Sequence, residues 1–304
     1  MTKIVNMTII LLLFMKTSLK VQNQIQALKT EFETLKKGKE SLLKIISEAE
    51  LPEAVYNSNA IENSTLTLSD TEKILLDLEI SKGHSTREIF EAKNLARVSE
   101  YIWSKKDSLV LNKSTILLLH QMLIGGIDDS IAGRFRAAGE YVRVGTHIAP
   151  APEHVERMIE VLLHEYAVDH TSYAVDAIAR FHIEFETIHP FCDGNGRIGR
   201  VLMNAQLQAL GYPPIIIRDK EKQLYYDAFQ SHRAAKSLAG MSRVVTLALR
   251  ESLHKRLAYL RAESIVTLSE YAKKKKISLA GVINAARRQT IPAFREKGVW
   301  KIGV

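Results

Sequence analysis

Apolar residues recur along most of this chain with the period of a helix, not that of a strand. Val155, Met158, Ile159, Leu162, Leu163 and Tyr166 fall at i, i+3, i+4, i+7, i+8 and i+11, which makes one continuous buried face. Two S-x-x-E capping boxes, Ser69 with Glu72 and Ser85 with Glu88, stand ahead of apolar-patterned runs and mark helix starts. Asn112 to Leu123 reads as a helix stopped by Gly125-Gly126. Ala174 to Ile188 reads as another, and Val201 to Leu210 as a third that ends at Gly211 ahead of Pro213-Pro214. Tyr225 to Ala239 and Val244 to Ala262 complete a bundle. Strand-like alternation is scarce, so the predicted fold is mainly α.

One stretch departs from this pattern. Between Gly133 and Pro152, Arg134-Phe135-Arg136 followed by Glu140 to Gly145 predicts a short β-hairpin bounded by glycine and proline. Three domains are expected: an N-terminal helical segment over 1–50, a core over 51–262 and a small module over 267–304. At the N-terminus the apolar run Ile9 to Met15 is too short to span a bilayer. It reads as an upstream start or as an end packing on the body, in preference to a secretion signal.

Composition sharpens this division. The chain has 304 residues, 46% of them hydrophobic, enough for a packed core, and a net charge of +8. From Thr267 to Val304 there are nine basic residues against two acidic ones, so the basic character belongs to the tail and the body is nearly neutral. The single cysteine, Cys192, excludes an intrachain disulfide framework and fits a reducing, cytoplasmic compartment; it reads as filler, not as a nucleophile.

The candidate chemistry is concentrated in His189-Pro190-Phe191-Cys192-Asp193-Gly194-Asn195-Gly196-Arg197-Ile198-Gly199-Arg200. His189 is a titratable base. Gly194 and Gly196 let consecutive N–H groups turn inward as an anion nest, and a helix beginning just after the loop would point its positive end at phosphates. Arg197 and Arg200, three residues apart, could grip separate phosphoryl groups. Asp193 is a hard oxygen ligand suited to Mg2+, which takes one or two carboxylates plus substrate phosphates. The composition is that of a site holding a polyphosphate on a metal beside a base for an incoming hydroxyl.

The same string resembles the HPFx(D/E)GNGRxxR signature of the Fic family, and the resemblance runs from about Tyr56 to Ala239, including Arg180 to Ile188 and Gly211-Tyr212-Pro213-Pro214. It implies a Fic-type helical bundle in which the hairpin is a flap that holds a target segment by edge-strand pairing. Ser58-Asn59-Ala60-Ile61-Glu62-Asn63 is similar to the family's (S/T)xxxE(G/N) inhibitory motif, placed N-terminal to the core. That implies that Glu62 pairs with Arg200 and fills the place of the γ-phosphate.

The activity implied is transfer of AMP from ATP, with Mg2+, to a Ser, Thr or Tyr hydroxyl of a protein, with His189 as base. Asn195, Arg197 and Arg200 would hold phosphates, and Tyr225 or Tyr226 would wall the adenine unless either is core. His182 reads as a structural histidine. Three alternatives stay open: removal of AMP by the same site, a DNA-associated, nucleotide-sensing regulator, and transfer of phosphate, UMP or phosphocholine in place of AMP, since the resemblance extends to relatives with that chemistry. The tail resembles a winged helix-turn-helix, so duplex DNA is one expected partner and a protein-packing role the other. A homodimer that buries Glu62 is also expected, and no membrane partner.

Overall fold

The computed structural model describes residues 17–77, 83–105 and 108–304, and the apolar run Ile9 to Met15 lies outside them. Among the described residues there are twelve α-helices: α1 (Leu19–Leu35), α2 (Glu40–Ile61), α3 (Leu68–Leu75), α4 (Thr86–Ser104), α5 (Lys113–Ile124), α6 (Pro152–Val168), α7 (Ala174–Ile188), α8 (Asn195–Ala209), α9 (Lys222–Ala235), α10 (Ala239–Leu260), α11 (Leu268–Lys275) and α12 (Leu279–Arg287). The strands are β1 (Arg143–Val144), β2 (His147–Ile148), β3 (Ile265–Thr267), β4 (Ala293–Glu296) and β5 (Val299–Gly303). None of these helices is long and apolar enough to cross a membrane.

The antiparallel pair α7–α8 organises the body because each helix is apolar on two faces. Phe181, Phe185, Ile198 and Leu202 enter one core with Leu95, Leu119 and Leu123 of α4 and α5. Ile178, Ile183, Met203 and Leu207 enter a second core with Leu249, Leu253 and Leu257 of α10. The connection between α7 and α8 is therefore held from both sides, and it carries the His189–Arg200 motif. α1 joins the second core through Ile25 and Phe32, and Thr17 Oγ1 donates to Asp176 Oδ1 (2.6 Å) in the first turn of α7.

Several expectations are corrected here. The cap expected from Ser69 and Glu72 is made two residues earlier. Thr67 Oγ1 accepts the Asp70 N–H (3.1 Å) and Asp70 accepts the Thr67 N–H (3.1 Å), which frees Glu72 for a lysine, Lys297 (2.9 Å). Ser85 does cap α4, and Glu88 keeps Oε2 on the Ser85 hydroxyl (3.1 Å), but its Oε1 accepts the Thr65 N–H (2.6 Å) and the Ser64 and Thr65 hydroxyls instead of the Ser85 N–H of a full capping box. α8 starts at Asn195, inside the motif, because Gly194 takes the left-handed conformation (φ 78°) that caps it. The hairpin is shorter and later than predicted: Arg143 pairs with Ile148 and Val144 with His147. Arg134–Arg136 is not a strand, since Arg134 forks onto Glu140 and Arg136 is buried against backbone carbonyls. The boundary expected at 50/51 falls inside α2, and α1 is part of the body.

At the C-terminus an antiparallel sheet of order β3-β5-β4 packs with α11 and α12 around its own small core of Leu268, Ala272, Val282, Ala286, Ala293 and Ile302. The turn between β4 and β5 faces the body: Glu53 on α2 accepts the Lys297 (3.1 Å) and Gly298 (3.0 Å) N–H groups.

Because Phe32 is buried between α1 and α10, Phe32→Ala is expected to lower stability by about 3–5 kcal/mol. Urea unfolding followed by circular dichroism checks this, and a loss below about 1 kcal/mol would make α1 a dispensable cover.

Candidate active site

α7 ends where His189 adopts the left-handed conformation (φ 51°) with its N–H on the Phe185 carbonyl (2.9 Å). Pro190 follows and cannot continue the helix. The loop is then fastened at every turn. Phe191 is buried and stacked on His120, ring centroids 3.6 Å apart. His120 Nδ1 accepts the Gly133 N–H (3.0 Å), so its Nε2 carries the proton and donates to the Asp193 carbonyl (3.0 Å). Burial drives the His120 pKa down to about 4, so this brace is neutral at pH 7. Arg136 donates to the carbonyls of His189 (2.8 Å), Pro150 (2.8 Å) and Glu140 (2.9 Å). Asn195 closes the loop with two bonds to the Phe191 backbone, each 2.8 Å.

α8 begins beneath this loop, so the N–H groups of its first turn have no intrahelical acceptor and the positive end of the helix lies at the motif. The charges around it are already sorted. Asp193 Oδ1 accepts the Gly194 N–H (2.5 Å) and Arg197 (3.0 Å), while Oδ2 takes Arg87 of α4. Arg197 also reaches Glu91 of α4 (3.2 Å). Arg200 is buried, and its guanidinium donates to the Ser58 hydroxyl (2.9 Å), the Ser58 carbonyl (2.8 Å) and the Glu62 carboxylate (2.8 Å). The Glu62 carboxylate lies so close to the α8 backbone that a Cβ on Gly196 would collide with it. An open cleft of about 370 Å3 remains, lined by Asn59, Glu62, Arg87, His189, Asp193 and the Gly194–Arg197 turn.

Environment sets the protonation states. Burial pushes His189 down to about 4, with Arg136 and His147 nearby adding repulsion, so at pH 7 it is a neutral imidazole able to accept a proton. Its Nδ1 faces Glu186 (3.8 Å to Oε2), which leaves Nε2 for the cleft. Glu186 is pushed up to about 8 by burial and by the like charge of Glu62, so it is a neutral acid beside that base. For Asp193, burial opposes ionisation, but Arg197 and the Gly194 N–H hold its carboxyl below the usual range. Cys192 is pushed up to about 11, first by burial and then by Glu140, and is not an activated thiol.

Of the site residues expected from sequence, His189, Asp193, Gly194, Gly196 and Arg197 converge on the cleft, and Ser58, Glu62 and Arg200 meet beside it. Two are corrected. Both polar atoms of the Asn195 side chain are spent on the Phe191 backbone, so this side chain braces the loop. Tyr226 donates to the Ile61 carbonyl (2.7 Å) and fastens the end of α2, and it does not line the cleft. Tyr225 is core, bonded to the structural His182 (2.7 Å). The sequence reading gave no role to Arg87, Glu91, His120, Arg136 or Glu186. Only Glu186 carried a local signal, one helical turn before His189.

For Mg2+ the site offers oxygen donors without a preformed cage. Among the described residues no three His, Cys, Asp or Glu side chains form a metal cage. Of the carboxylates lining the cleft, Glu62 and Glu91 are paired with Arg200 and Arg197, and the ionised Asp193 suits Mg2+, which draws its other ligands from phosphates and water, provided Arg87 and Arg197 share Asp193.

Residues 110–207 match the Fic/DOC family profile. Two proteins named protein adenylyltransferase Fic are similar to this chain. The one from Nematostella vectensis is 34% identical over 180 residues, 57% of this chain and 41% of that protein. The one from Drosophila virilis is 34% identical over 175 residues, 57% and 36% respectively. The chain thus spans about two fifths of the length of these relatives. Among solved structures, a Fic-domain-containing signaling protein from Bacteroides thetaiotaomicron superposes with TM-score 0.69 at 28% identity, over 79% of this chain and 97% of that one. A variant fragment of Fic-1 from C. elegans gives 0.67 at 25% identity, over 80% and 72%.

The titration of His189 can be read directly. Burial disfavours the imidazolium, so its ring resonances are expected to stay in the neutral form down to about pH 4, where an ordinary histidine charges near 6.5. Proton NMR with His189→Gln for assignment checks this, and a midpoint near 6.5 would contradict it.

Proposed function

We propose that this chain carries out self-restrained transfer of AMP from ATP to a Ser, Thr or Tyr hydroxyl of a protein, the activity for which its Fic-matching relatives are named. The observation that carries this reading is one juxtaposition. A neutral His189 caps the end of α7 and lines the same cleft as the first turn of α8, and the buried Arg200 of α8 has its guanidinium already filled by Glu62. In the reaction the hydroxyl oxygen bonds the α-phosphorus, the bond to pyrophosphate breaks, and the hydroxyl proton passes to His189 Nε2. The first-turn N–H groups of α8 and Arg197 stabilise the phosphate charge, and Arg200, once released, orients the γ-phosphate. Mg2+ bound through Asp193 would neutralise charge on the phosphates and the leaving group.

The hairpin supports the protein-substrate part. Tyr141, Val144 and Ile148 are exposed around β1 and β2, and His147 ties the hairpin to the Thr187 carbonyl (2.9 Å) beside His189. A target segment pairing along this edge brings its hydroxyl to the imidazole without the protein reading much of its sequence. The exposed lysines 273–276 fit a duplex-binding role for the tail, but the β4–β5 turn is held against α2 and is withdrawn from such a surface.

ATP labelled on the α- or γ-phosphate tests the reaction. Label on protein from the α position only, raised about tenfold or more in Glu62→Gly, is expected; tenfold corresponds to ~1.4 kcal/mol of lost competition for Arg200. His189→Ala in that background is expected to lower transfer by about 10²–10⁴-fold. Protein label from the γ position would mean phosphotransfer. AMP release from a modified protein by the wild type, but not by Glu62→Gly, would select the reverse reaction.

Ile148→Asp is expected to lower modification of protein targets several-fold while leaving ATP affinity unchanged, as read by equilibrium binding. Loss of ATP affinity would remove the hairpin from target recognition.

A further inference from the structure

α2 has two working faces. At about 100° per residue, Ser58 and Glu62 lie on one side of the helix, and Glu53, Tyr56 and Asn57 on the opposite one. The first side meets Arg200. The second borders a cavity of about 670 Å3 at the seam between the body and the C-terminal unit, larger than the cleft at the motif. Nothing in the chemistry derived above uses this cavity.

Its walls are cationic. The body contributes Lys220 and Arg243, and the end of α12 contributes Arg287 and Arg288. Among the described residues none of these four makes an ion pair. The four acids that line it are already paired: Glu251 accepts from Arg218 (2.9 Å) and Arg295 (2.6 Å), Glu53 from Arg218, Glu221 from Arg295 (2.8 Å) and Asp219 from Lys222 (3.0 Å). What the cavity presents is therefore surplus positive charge together with two aromatic rings, Tyr56 and Trp300. Its size is that of a small-molecule site, within ~300–1,000 Å3. A duplex, by contrast, needs an open surface along which its backbone can lie.

The seam is also mechanically connected to α2. Glu53 is the point at which the C-terminal unit grips this helix, since it accepts both N–H groups at the tip of the β4–β5 turn while pairing with Arg218. Arg218 and Arg295 share Glu251, so an anion placed among them offers both guanidiniums another partner. Drawing Arg218 off Glu53 leaves a buried carboxylate short of charge and loosens the grip.

We propose that this cavity is an effector site for a small phosphorylated ligand, whose binding loosens the hold of the C-terminal unit on α2 and so weakens the pairing of Glu62 with Arg200. The coupling rests on the inhibitory role given to Glu62 above; the site itself does not.

The experiment uses the full chain, with inorganic tripolyphosphate as probe and no Mg2+. Calorimetric titration compares the wild type with Arg287→Glu/Arg288→Glu and Lys220→Glu/Arg243→Glu, which alter exposed residues on opposite walls. Each double variant is expected to weaken binding by about tenfold or more. Unchanged affinity in both variants, or no binding up to roughly 1 mM, overturns the site. A short DNA duplex is titrated in parallel. Binding tighter than that of tripolyphosphate and lost in the same variants would make the seam a nucleic-acid surface and overturn the small-ligand assignment. Amide exchange over residues 54–62 reads the coupling without catalysis: tripolyphosphate is expected to speed it in the wild type and not in the double variants. Exchange that is unchanged or slowed overturns the coupling. Faster exchange alongside a Glu62→Gly variant of unchanged activity would leave the site standing and remove the inhibitory reading of Glu62 instead.

Discussion

A buried guanidinium governs this molecule. Arg200 sits on α8 between two apolar cores, where a positive charge is tolerated only if its donors are all engaged. Ser58 and Glu62 engage them, so the end of α2 is fixed at the mouth of the site. The rest of the arrangement follows from that need. Tyr226 holds the Ile61 carbonyl, Glu88 gathers the Ser64 and Thr65 groups just past the pair, and Glu53 secures the same helix on its far side. An anion brought to Arg200 has to displace the Glu62 carboxylate.

The fold also sets the charge of three ionisable groups around the motif by where it puts them. Asp193 keeps its charge, since two arginines and an N–H surround it. Glu186, on α7 one turn before His189 and buried beside Glu62, is held neutral. His189 is neutral for the opposite reason, a cation denied solvent. The fold thus holds a neutral imidazole, a neutral carboxylic acid and an ionised carboxylate within eight residues of one another.

The C-terminal unit changes meaning between sequence and structure. As a string it is a basic tail with the pattern of a nucleic-acid reader. In space its β4–β5 turn is the part that touches α2, and Arg295 is spent on Glu251 and Glu221 and stacked on Trp300 (4.4 Å). Charge counting could not separate arginines that close a seam from those that face an open space, because both look the same in a composition.

The sequence by itself determined the local features. Helical periodicity placed α6 and α7 nearly to the residue, because burial of one face repeats every turn and needs no partner to be seen. The motif was equally legible, since its glycines, carboxylate and arginines act within one loop and one helical turn. Only the tertiary structure decided which side chains complete that loop. Arg87, Glu91, His120 and Arg136 lie 53 or more residues from their partners in the motif, and nothing in their neighbourhoods marks them. It also decided where the helix at the motif begins, that Arg136 braces carbonyls instead of lining a strand, and that Asn195 serves the loop. Those outcomes depend on which buried polar groups must be satisfied once the cores close, and that requirement exists only in three dimensions.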